Sequence, residues 1–363
     1  MKITPLAGTS FTQWIRLLYQ NGWDLKYTGS VLLDFINISL FFPLRIREFL
    51  LYSEKIKATE IKEPPIFILG HWRSGTTFLH NLMCQDPNLG YVTTLQTVFP
   101  LVYLNSQKYI RNMFGKYVPK KRPMDNMELS FESPQEEEVA LACVAPFSFF
   151  LGLIFPRKML YYFNKSILFK EVSAKARKGW KEAYMTFLKK ITFSLNGQRL
   201  VIKNPSNTGR IRLLLEMFPN AKFVYIQRNP YVVFESTKHL HKTSMKLVQL
   251  QDVDDETLTK HIIETYHSMI NRFLDEQPLI PKENYLEVRY EDLEKDPMEL
   301  VERIYKTLEI PGFDQAKGPI QTHIESQKGY QKNKFEFSHK SIETVQKHWQ
   351  VALGKWGYEP PGS

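Results

Sequence analysis

Residues 66–80, IFILGHWRSGTTFLH, constrain the fold of this chain more than any other stretch. An apolar run, 66–69, leads into a turn that begins at Gly70 and ends at Gly75. Two threonines follow, and then apolar residues at helical spacing. This order predicts a strand, a phosphate-binding loop and a helix, because backbone N–H groups at such a turn and at a helix N-terminus bind anions.

The lysine of the kinase and ATPase P-loop is missing from this turn. The spacing from Gly70 to Gly75 matches that motif, but Thr76 stands where those enzymes have lysine. Arg73 instead places a guanidinium inside the loop. The pattern favours a nucleotide whose anionic groups are arranged differently from those of ATP. In the alternative interpretation, the glycines only shape a turn between a strand and a helix.

Two basic residues stand at the ends of further predicted strands. The run 199–203 is predicted to be a strand that ends at Lys203, and 222–227 a strand that Arg228 follows. The next predicted helix carries Ser236 on its second turn. Because the carboxyl ends of parallel strands form one ligand-binding edge, we expect Lys203 and Arg228 to converge on the loop. Alternatively, each is a solvated charge at a strand end.

With these residues in place, the chain resembles the sulfotransferases that use PAPS (3′-phosphoadenosine 5′-phosphosulfate), in a bacterial branch distantly similar to tyrosylprotein sulfotransferases. The resemblance implies an α/β fold with a P-loop-like central parallel sheet flanked by helices, and with extra helical segments at both ends. The family's motifs stand in family order as RSGTT at 73–77, Lys203-Asn204-Pro205, Arg228 with Ser236, and VRYEDLEKDP at 288–297.

The resemblance also implies that PAPS is the co-substrate and that its sulfonyl group passes to an acceptor hydroxyl. Arg73 and Lys203 would stabilise charge on the sulfonyl oxygens and on the leaving phosphate. Arg228 and Ser236 would hold the 3′-phosphate, since a guanidinium offers paired donors to phosphate oxygens. No metal is expected, because Gln227 and Arg228 stand where an Mg²⁺-binding aspartate would end the strand. The residues expected to contact the nucleotide are Arg73, Ser74, Gly75, Thr76, Thr77, Arg228, Ser236, Tyr290, Lys328, Tyr330 and Lys332.

The general base is the least determined part of the predicted site. The tyrosylprotein branch has a glutamate after the phosphate-loop helix, whereas the comparable stretch here holds Gln96. The next carboxylates are Glu136, Glu137 and Glu138, of which one of the first two is the favoured candidate. They precede an apolar segment, where burial would raise the pKa of a carboxyl group and suit it to proton transfer. Alternatively, they are first-turn acids of a helix that Ser133 caps. Further candidates are His239, His241 and His71.

Two apolar segments favour a lipophilic acceptor such as a sterol, a phenol or a lipid alcohol. Residues 139–155 carry no charge, but a proline and a glycine interrupt them, and they fall short of the about 18–20 residues of a membrane span. They form either a buried helix pair or the wall of an acceptor pocket. The aromatic N-terminal stretch includes a predicted helix, 31–42, that ends near Pro43. Residues 40–52 mix apolar and basic side chains and suit either peripheral membrane contact or core packing.

Composition narrows the function classes. The 363 residues, 43% of them hydrophobic, suit one sulfotransferase domain with a helical N-terminal extension (1–62), an α/β core (63–310) and a C-terminal nucleotide-closing segment (311–363). The 48 basic against 38 acidic residues suit an anionic ligand or a membrane surface. Because the basic residues are spread along the chain, no nucleic-acid partner is expected. Cys84 and Cys143 lack metal-ligand spacing and indicate a reducing, cytoplasmic setting.

Two other function classes stay open at this level. The first is a P-loop kinase or NTPase, which Thr76 and the missing Mg²⁺-binding acid disfavour. The second is a non-catalytic anion- and membrane-binding protein, which would use the basic surface and the aromatic N-terminal stretch. The sequence predicts neither the individual acceptor nor the oligomeric state.

Overall fold

The computed structural model describes residues 6–122, 124–329, 333 and 335–361. These residues fall into two compact units. The sheet unit comprises the described parts of Glu63–Gly90, Gln198–Lys242 and Asp255–Ser363. The helical unit comprises the described parts of Met1–Lys62, Tyr91–Gly197 and Thr243–Asp254. That the whole chain acts as one domain stays a prediction.

The described residues form five β-strands and eighteen α-helices, with several helices in succession between some strands. The strands are β1 (Ile66–Leu69), β2 (Leu89–Gly90), β3 (Arg199–Lys203), β4 (Lys222–Gln227) and β5 (Tyr285–Arg289). In chain order, the α-helices are α1 (Phe11–Asn21), α2 (Thr28–Ala58), α3 (Thr76–Met83), α4 (Thr94–Val98), α5 (Tyr103–Phe114), α6 (Glu138–Val144), α7 (Phe150–Ile154), α8 (Met159–Ser166), α9 (Ala174–Ser194), α10 (Ile211–Met217), α11 (Pro230–Leu240), α12 (Lys246–Val248), α13 (Asp255–Glu276), α14 (Tyr290–Lys295), α15 (Pro297–Thr307), α16 (Phe313–Ser326), α17 (His339–His348) and α18 (Gln350–Trp356).

The strands form one parallel sheet in the order β2-β3-β1-β4-β5. β1 lies at its centre, where Ile68 pairs with Lys203 of β3 on one side and with Val224 of β4 on the other. All four residues of β1 are buried, as is typical of a parallel strand. The phosphate loop, Lys203 and Arg228 therefore leave the sheet at the same edge. The predicted α/β fold, with a P-loop-like central parallel sheet and added terminal helices, is confirmed.

Helix α2 continues through Pro43, so the prediction that this helix ends there is wrong. A proline removes one backbone hydrogen bond, but packing on both sides holds the helix together. Before Pro43, the ring centroid of Phe41 lies 5.1 Å from that of Phe99. Beyond it, Glu48 is buried and accepts hydrogen bonds from backbone N–H groups of α5. Within the described chain, Leu25–Ala58 is the one helical stretch long and apolar enough to cross a membrane, and 28% of its most apolar window is buried.

The uncharged stretch 139–155 contains two short helices, α6 and α7, with one turn of irregular chain between them. Side chains of both helices join an apolar core cluster of the helical unit, together with Trp14 and Ile38. This arrangement agrees with the interpretation of the stretch as a buried helix pair. Its apolar character is therefore explained by packing within the unit.

The predicted cap at Ser133 is wrong, because α6 begins only at Glu138. The backbone around Ser133 pairs with the chain before α4 instead of starting a helix. Thr94 N–H donates to the Ser133 carbonyl at 3.0 Å, and Gln135 N–H donates to the Val92 carbonyl at 2.8 Å. These long-range hydrogen bonds satisfy the groups that a helical turn would have used.

Candidate active site

The loop between β1 and α3 has the backbone shape of an anion-binding turn. Three of its residues take positive φ angles, Gly70 at 146°, Arg73 at 71° and Gly75 at 99°. Gly70 N–H donates to Thr208 Oγ1 at 2.8 Å, and that hydroxyl donates to the Gly70 carbonyl at 3.1 Å. α3 then begins at Thr76 without a side-chain cap. The first N–H groups of this helix are therefore available to a bound anion.

Two arginines and a serine that are distant in sequence meet beside this loop. Arg228 Nη1 donates to the Arg73 carbonyl at 3.1 Å, and Arg73 Nε donates to Ser236 Oγ at 2.9 Å. Ser236 is buried and both arginines are half-buried. Guanidinium groups in such surroundings form strong paired hydrogen bonds with phosphate oxygens. We call Arg73, Arg228 and Ser236 the phosphate trio, because together they suit a phosphate dianion.

The ring of Tyr290 fills the space beside Gly75. A Cβ atom at residue 75 would lie 2.2 Å from Tyr290 Cδ2, so glycine is what lets the ring approach. The Arg228 Cζ atom lies 4.0 Å from the centroid of the same ring, and the Tyr290 hydroxyl donates to Glu294 Oε1 at 3.1 Å. Burial lowers the pKa of Arg228, but a guanidinium keeps its charge in proteins. Tyr290 therefore positions a charged Arg228.

Lys203 ends β3 and is only 3% exposed. Its charge lies near α3, where burial and then the Lys203 charge lower the pKa of His80 to about 3. On the loop itself, Ser74 Oγ is buried and has no hydrogen-bond partner among the residues that the structure describes. The sheet unit thus contains all of the predicted loop, strand-end and 3′-phosphate residues, namely Arg73, Ser74, Gly75, Thr76, Thr77, Lys203, Arg228, Ser236 and Tyr290.

Three buried histidines of the sheet unit lie close enough together for two of them to lower the pKa of the third. Burial lowers the pKa of His71 to about 4. Burial, with the added charges of His71 and His261, lowers the pKa of His241 to about 3. His71 Nδ1 lies 2.8 Å from the Trp72 carbonyl, which only accepts, so we assign the proton to Nδ1 and the lone pair to Nε2. That Nε2 atom is buried and has no hydrogen-bond partner within the described part of the chain.

The two histidines after Ser236 differ in their surroundings. His239 is half-buried, and its ring centroid lies 6.3 Å from that of Phe335. His241 is buried and begins a π-helix that runs over His241–Met245. Such irregular turns are frequent at functional sites.

The carboxylate candidates Glu136 and Glu137 belong to the helical unit. Glu137 is fully buried, and the Tyr184 hydroxyl donates to its Oε1 atom at 3.0 Å. Glu136 is half-buried. Gln96, which stands where the tyrosylprotein branch has glutamate, accepts the Thr93 N–H at 2.8 Å and completes the cap of α4. These contacts give Gln96 a structural role, and the role of either glutamate as base stays a prediction.

The C-terminal nucleotide contacts also stay predictions. Lys328 is exposed in the turn after α16, where its N–H donates to the Glu325 carbonyl at 3.1 Å. Tyr330 and Lys332 lie outside the described residues. Within the described ranges, no three His, Cys, Asp or Glu side chains form a metal-binding group. That the reaction needs no metal is likewise a prediction.

Comparison with known proteins identifies the family of this chain. The model of the sulfotransferase family matches residues 64–315. The omega-hydroxy-beta-dihydromenaquinone-9 sulfotransferases Stf3 of Mycobacterium bovis and Mycobacterium tuberculosis are each 30% identical to this chain over 360 residues, which cover 97% of this chain and 91% of the relative.

Solved structures show the same fold. The sulfotransferase STF9 from Mycobacterium avium matches with a TM-score of 0.69 at 17% identity, over 98% of both chains. The sulfotransferase STF1 from Mycobacterium tuberculosis matches with a TM-score of 0.65 at 16% identity, over 93% of this chain and 90% of that one. The family match and the Stf3 relatives show that this chain belongs to the sulfotransferase family and is an enzyme of the transferase class.

Proposed function

We propose that the protein transfers the sulfonyl group of PAPS to a hydroxyl group of a lipophilic small molecule. The phosphate trio carries this proposal, because it provides a second anion site beside a loop that lacks the P-loop lysine. PAPS has a separate 3′-phosphate for that site, whereas ATP does not. The positive-φ loop, the N-terminus of α3 and the buried Ser74 hydroxyl suit the 5′-phosphosulfate end.

The reaction needs one bond to form as another breaks. The acceptor oxygen bonds to the sulfur of PAPS, the bond from sulfur to the phosphate oxygen breaks, and adenosine 3′,5′-bisphosphate leaves. The acceptor proton passes to a base. Lys203 and the N–H groups at the start of α3 would stabilise the charge that develops on the leaving phosphate. Because Arg73 donates to Ser236, we place it with the 3′-phosphate and assign the sulfonyl end chiefly to Lys203.

For the base, the surroundings of His71 support this residue within the sheet unit. Its pKa of about 4 keeps the ring neutral at pH 7, and its Nε2 lone pair has no partner among the described residues. Glu136, Glu137, His239 and His241 are the alternatives. Removing a general base costs about 10²–10⁴-fold in kcat. We expect such a loss, with unchanged affinity for adenosine 3′,5′-bisphosphate, in His71→Asn and not in Glu137→Gln; the reverse result would assign the base to Glu137.

Three observations support a lipophilic acceptor and a peripheral contact with a membrane. The Stf3 relatives are named for omega-hydroxy-beta-dihydromenaquinone-9. Helix α2 exposes large apolar side chains, including Phe49 at 66% and Leu50 at 74%. The exposed Arg47 and Lys55 on the same helix add the positive charge that anionic lipids attract. We also propose a cytoplasmic location, for which the two free thiols are the supporting observation.

Calorimetric titration tests the donor site directly. We expect tight binding of adenosine 3′,5′-bisphosphate in EDTA and weak binding of ATP with Mg²⁺. Arg228→Ala should weaken the binding of adenosine 3′,5′-bisphosphate by at least tenfold, because it removes charge-assisted hydrogen bonds. Arg303→Ala is the matched control, since Arg303 is an exposed arginine on α15 of the same unit. Preferential binding of ATP with Mg²⁺ would favour the kinase interpretation. Equal affinity of Arg228→Ala and Arg303→Ala for adenosine 3′,5′-bisphosphate would refute the assignment of Arg228 to the nucleotide site.

A further inference from the structure

Helices α2 and α9 of the helical unit enclose an open cavity of about 620 Å³. Its wall includes the aromatic side chains of Phe42, Phe49 and Phe187 and the aliphatic side chain of Ile46. The volume lies in the range of about 300–1,000 Å³ that small-molecule sites occupy. Ile46 is 45% exposed and Phe49 66% exposed, so a large apolar wall stays in contact with water. Covering that wall would be favourable.

The buried part of the wall contains an ion pair that is already satisfied. Lys190 contacts Glu48, and their side chains are 8% and 3% exposed. Glu48 Oε2 also accepts the Leu104 N–H at 2.6 Å, and Lys190 Nζ donates to the Pro100 carbonyl and lies 4.5 Å from the ring centroid of Tyr103. Because the two charges are paired with each other and with the backbone, they do not call for a charged ligand. The enclosed part of a ligand is therefore expected to be apolar.

The rim of the cavity is basic. Its lining includes Arg45, Lys57 and Lys189 against one acid, Glu182, although Lys57 is paired with the neighbouring Glu54 at 2.7 Å. Lys189 Nζ donates to the Lys57 carbonyl at 2.9 Å, which ties the end of α2 to α9 beside the opening. A basic rim around an apolar opening complements an anionic bilayer surface, where apolar chains are available.

We propose that this cavity binds the apolar chain of the lipid acceptor, which enters from an anionic membrane against which α2 lies. The proposal rests on the proposed function in taking the acceptor to be a lipid alcohol. A single alkyl or isoprenoid chain suits the cavity, because it can fill an apolar volume without bringing a charge. A flat protein partner would cover the exposed side of α2 but leave the enclosed volume empty.

The test uses the full-length protein and a long-chain alkyl alcohol that carries a pyrene label. The pyrene fluorescence measures binding of this probe to the protein in the absence of any nucleotide. Ala183→Trp and Ser53→Trp fill the cavity from α9 and α2, since both residues line it. Ala176→Trp is the matched control, because it is a half-exposed alanine on α9 outside the lining. We expect each filling variant to weaken probe binding by at least tenfold, and the control to bind as the original protein does. All three should keep the original melting temperature and affinity for adenosine 3′,5′-bisphosphate.

Equal probe binding in all variants, or an equal loss in the control, would overturn the proposal. Competition with dioleoylphosphatidylglycerol tests whether the bound alkyl chain comes from a lipid alcohol or from a membrane phospholipid. If this phospholipid displaces the probe as effectively as unlabelled long-chain alcohol does, the cavity is a phospholipid site and the acceptor assignment is overturned. With PAPS present, the filling variants should raise KM for hexadecanol at least tenfold and leave KM for butanol unchanged. If the probe binds as expected but adenosine 3′,5′-bisphosphate does not bind, the proposed donor fails while the chain site stands.

Discussion

The substitution Gly75→Ala tests whether the contact between the phosphate loop and Tyr290 orients Arg228. The new Cβ atom would lie 2.2 Å from Tyr290 Cδ2, whereas ordinary contact begins at 3.4 Å, so the ring has to move by about 1 Å. The φ angle of 99° adds strain, because left-handed backbone costs a residue with a Cβ atom about 1–2 kcal/mol. Overpacking costs about 1–3 kcal/mol more. We therefore expect Gly75→Ala to lower the free energy of unfolding by about 2–5 kcal/mol.

A control and a second variant separate the two contributions. Gly197 has a similar φ angle of 86°, and nothing lies within 4 Å of the position of its Cβ atom. Gly197→Ala should therefore show only the cost of the φ angle. Adding Tyr290→Ala to Gly75→Ala removes the atoms that clash. The double variant should recover the steric part of the loss relative to Tyr290→Ala alone, as a double-mutant cycle measures it.

Urea denaturation gives the unfolding free energies, and calorimetry gives the affinity for adenosine 3′,5′-bisphosphate. Because the Tyr290 ring lies against Arg228, we expect Gly75→Ala to weaken nucleotide binding by at least tenfold and Gly197→Ala to leave it unchanged. The reasoning is refuted if the two glycine variants lose equal stability. It is also refuted if the cycle shows no coupling between residues 75 and 290.

Three further perturbations probe the rest of the site and the core. Arg73→Gly relieves the strain of a positive φ angle but removes the hydrogen bond to Ser236. Because these effects oppose each other, the free energy of unfolding should change by no more than about 1 kcal/mol. Calorimetry should show at least tenfold weaker binding of adenosine 3′,5′-bisphosphate. Burial holds the pKa of His80 at about 3, below the value of 6.5 in an unfolded chain, so between these pH values the unfolded state binds a proton that the folded state does not. The stability that neutral His80 allows is therefore complete above pH 6.5 and is lost as the pH falls toward 3. His80→Asn should remove up to about 1.4 kcal/mol per pH unit from the slope of the urea-derived unfolding free energy between pH 3 and 6.5. Lys190→Ala leaves Glu48 buried without its cation and should cost about 3–5 kcal/mol of unfolding free energy, whereas Lys190→Ala with Glu48→Ala should cost less than the sum of the single losses.

The sequence predicts the sheet unit well where local pattern and parallel-sheet geometry decide the outcome. Apolar runs of three or four residues define β1, β3 and β4, and these strands end before Gly70, at Lys203 and before Arg228, respectively. Because parallel strands align their carboxyl ends, Arg228 and the loop had to share an edge. The eight-residue step from Arg228 to Ser236 then returns the serine to that edge along α11. The meeting of Arg73 with Ser236 follows from this topology, but its hydrogen bond does not.

Contacts between distant segments account for what the sequence does not predict. Nothing near Thr208 marks it as the residue that binds both backbone groups of Gly70. The Ser133 pattern has the local form of a helix cap, yet pairing with the chain before α4 overrides it. Pro43 has the local form of a helix end, yet packing of α2 on both sides overrides that signal as well. In the last two cases a tertiary hydrogen bond or ring contact outweighs a local preference of about 1–3 kcal/mol.

Arg73 shows why the proposed donor site would favour arginine over glycine at a left-handed position. Its φ angle of 71° would suit glycine, so the arginine keeps about 1 kcal/mol or more of strain in the loop. Two hydrogen bonds offset that cost, since Arg228 binds its carbonyl and its own Nε atom binds Ser236. The same two bonds hold the Arg73 guanidinium at the Ser236 hydroxyl and the Arg228 guanidinium at the Arg73 carbonyl before any phosphate arrives. A phosphate that binds there meets hydrogen-bond donors that are already ordered, so binding does not have to fix their side chains. This gain in affinity is the physical reason for a strained arginine at this position.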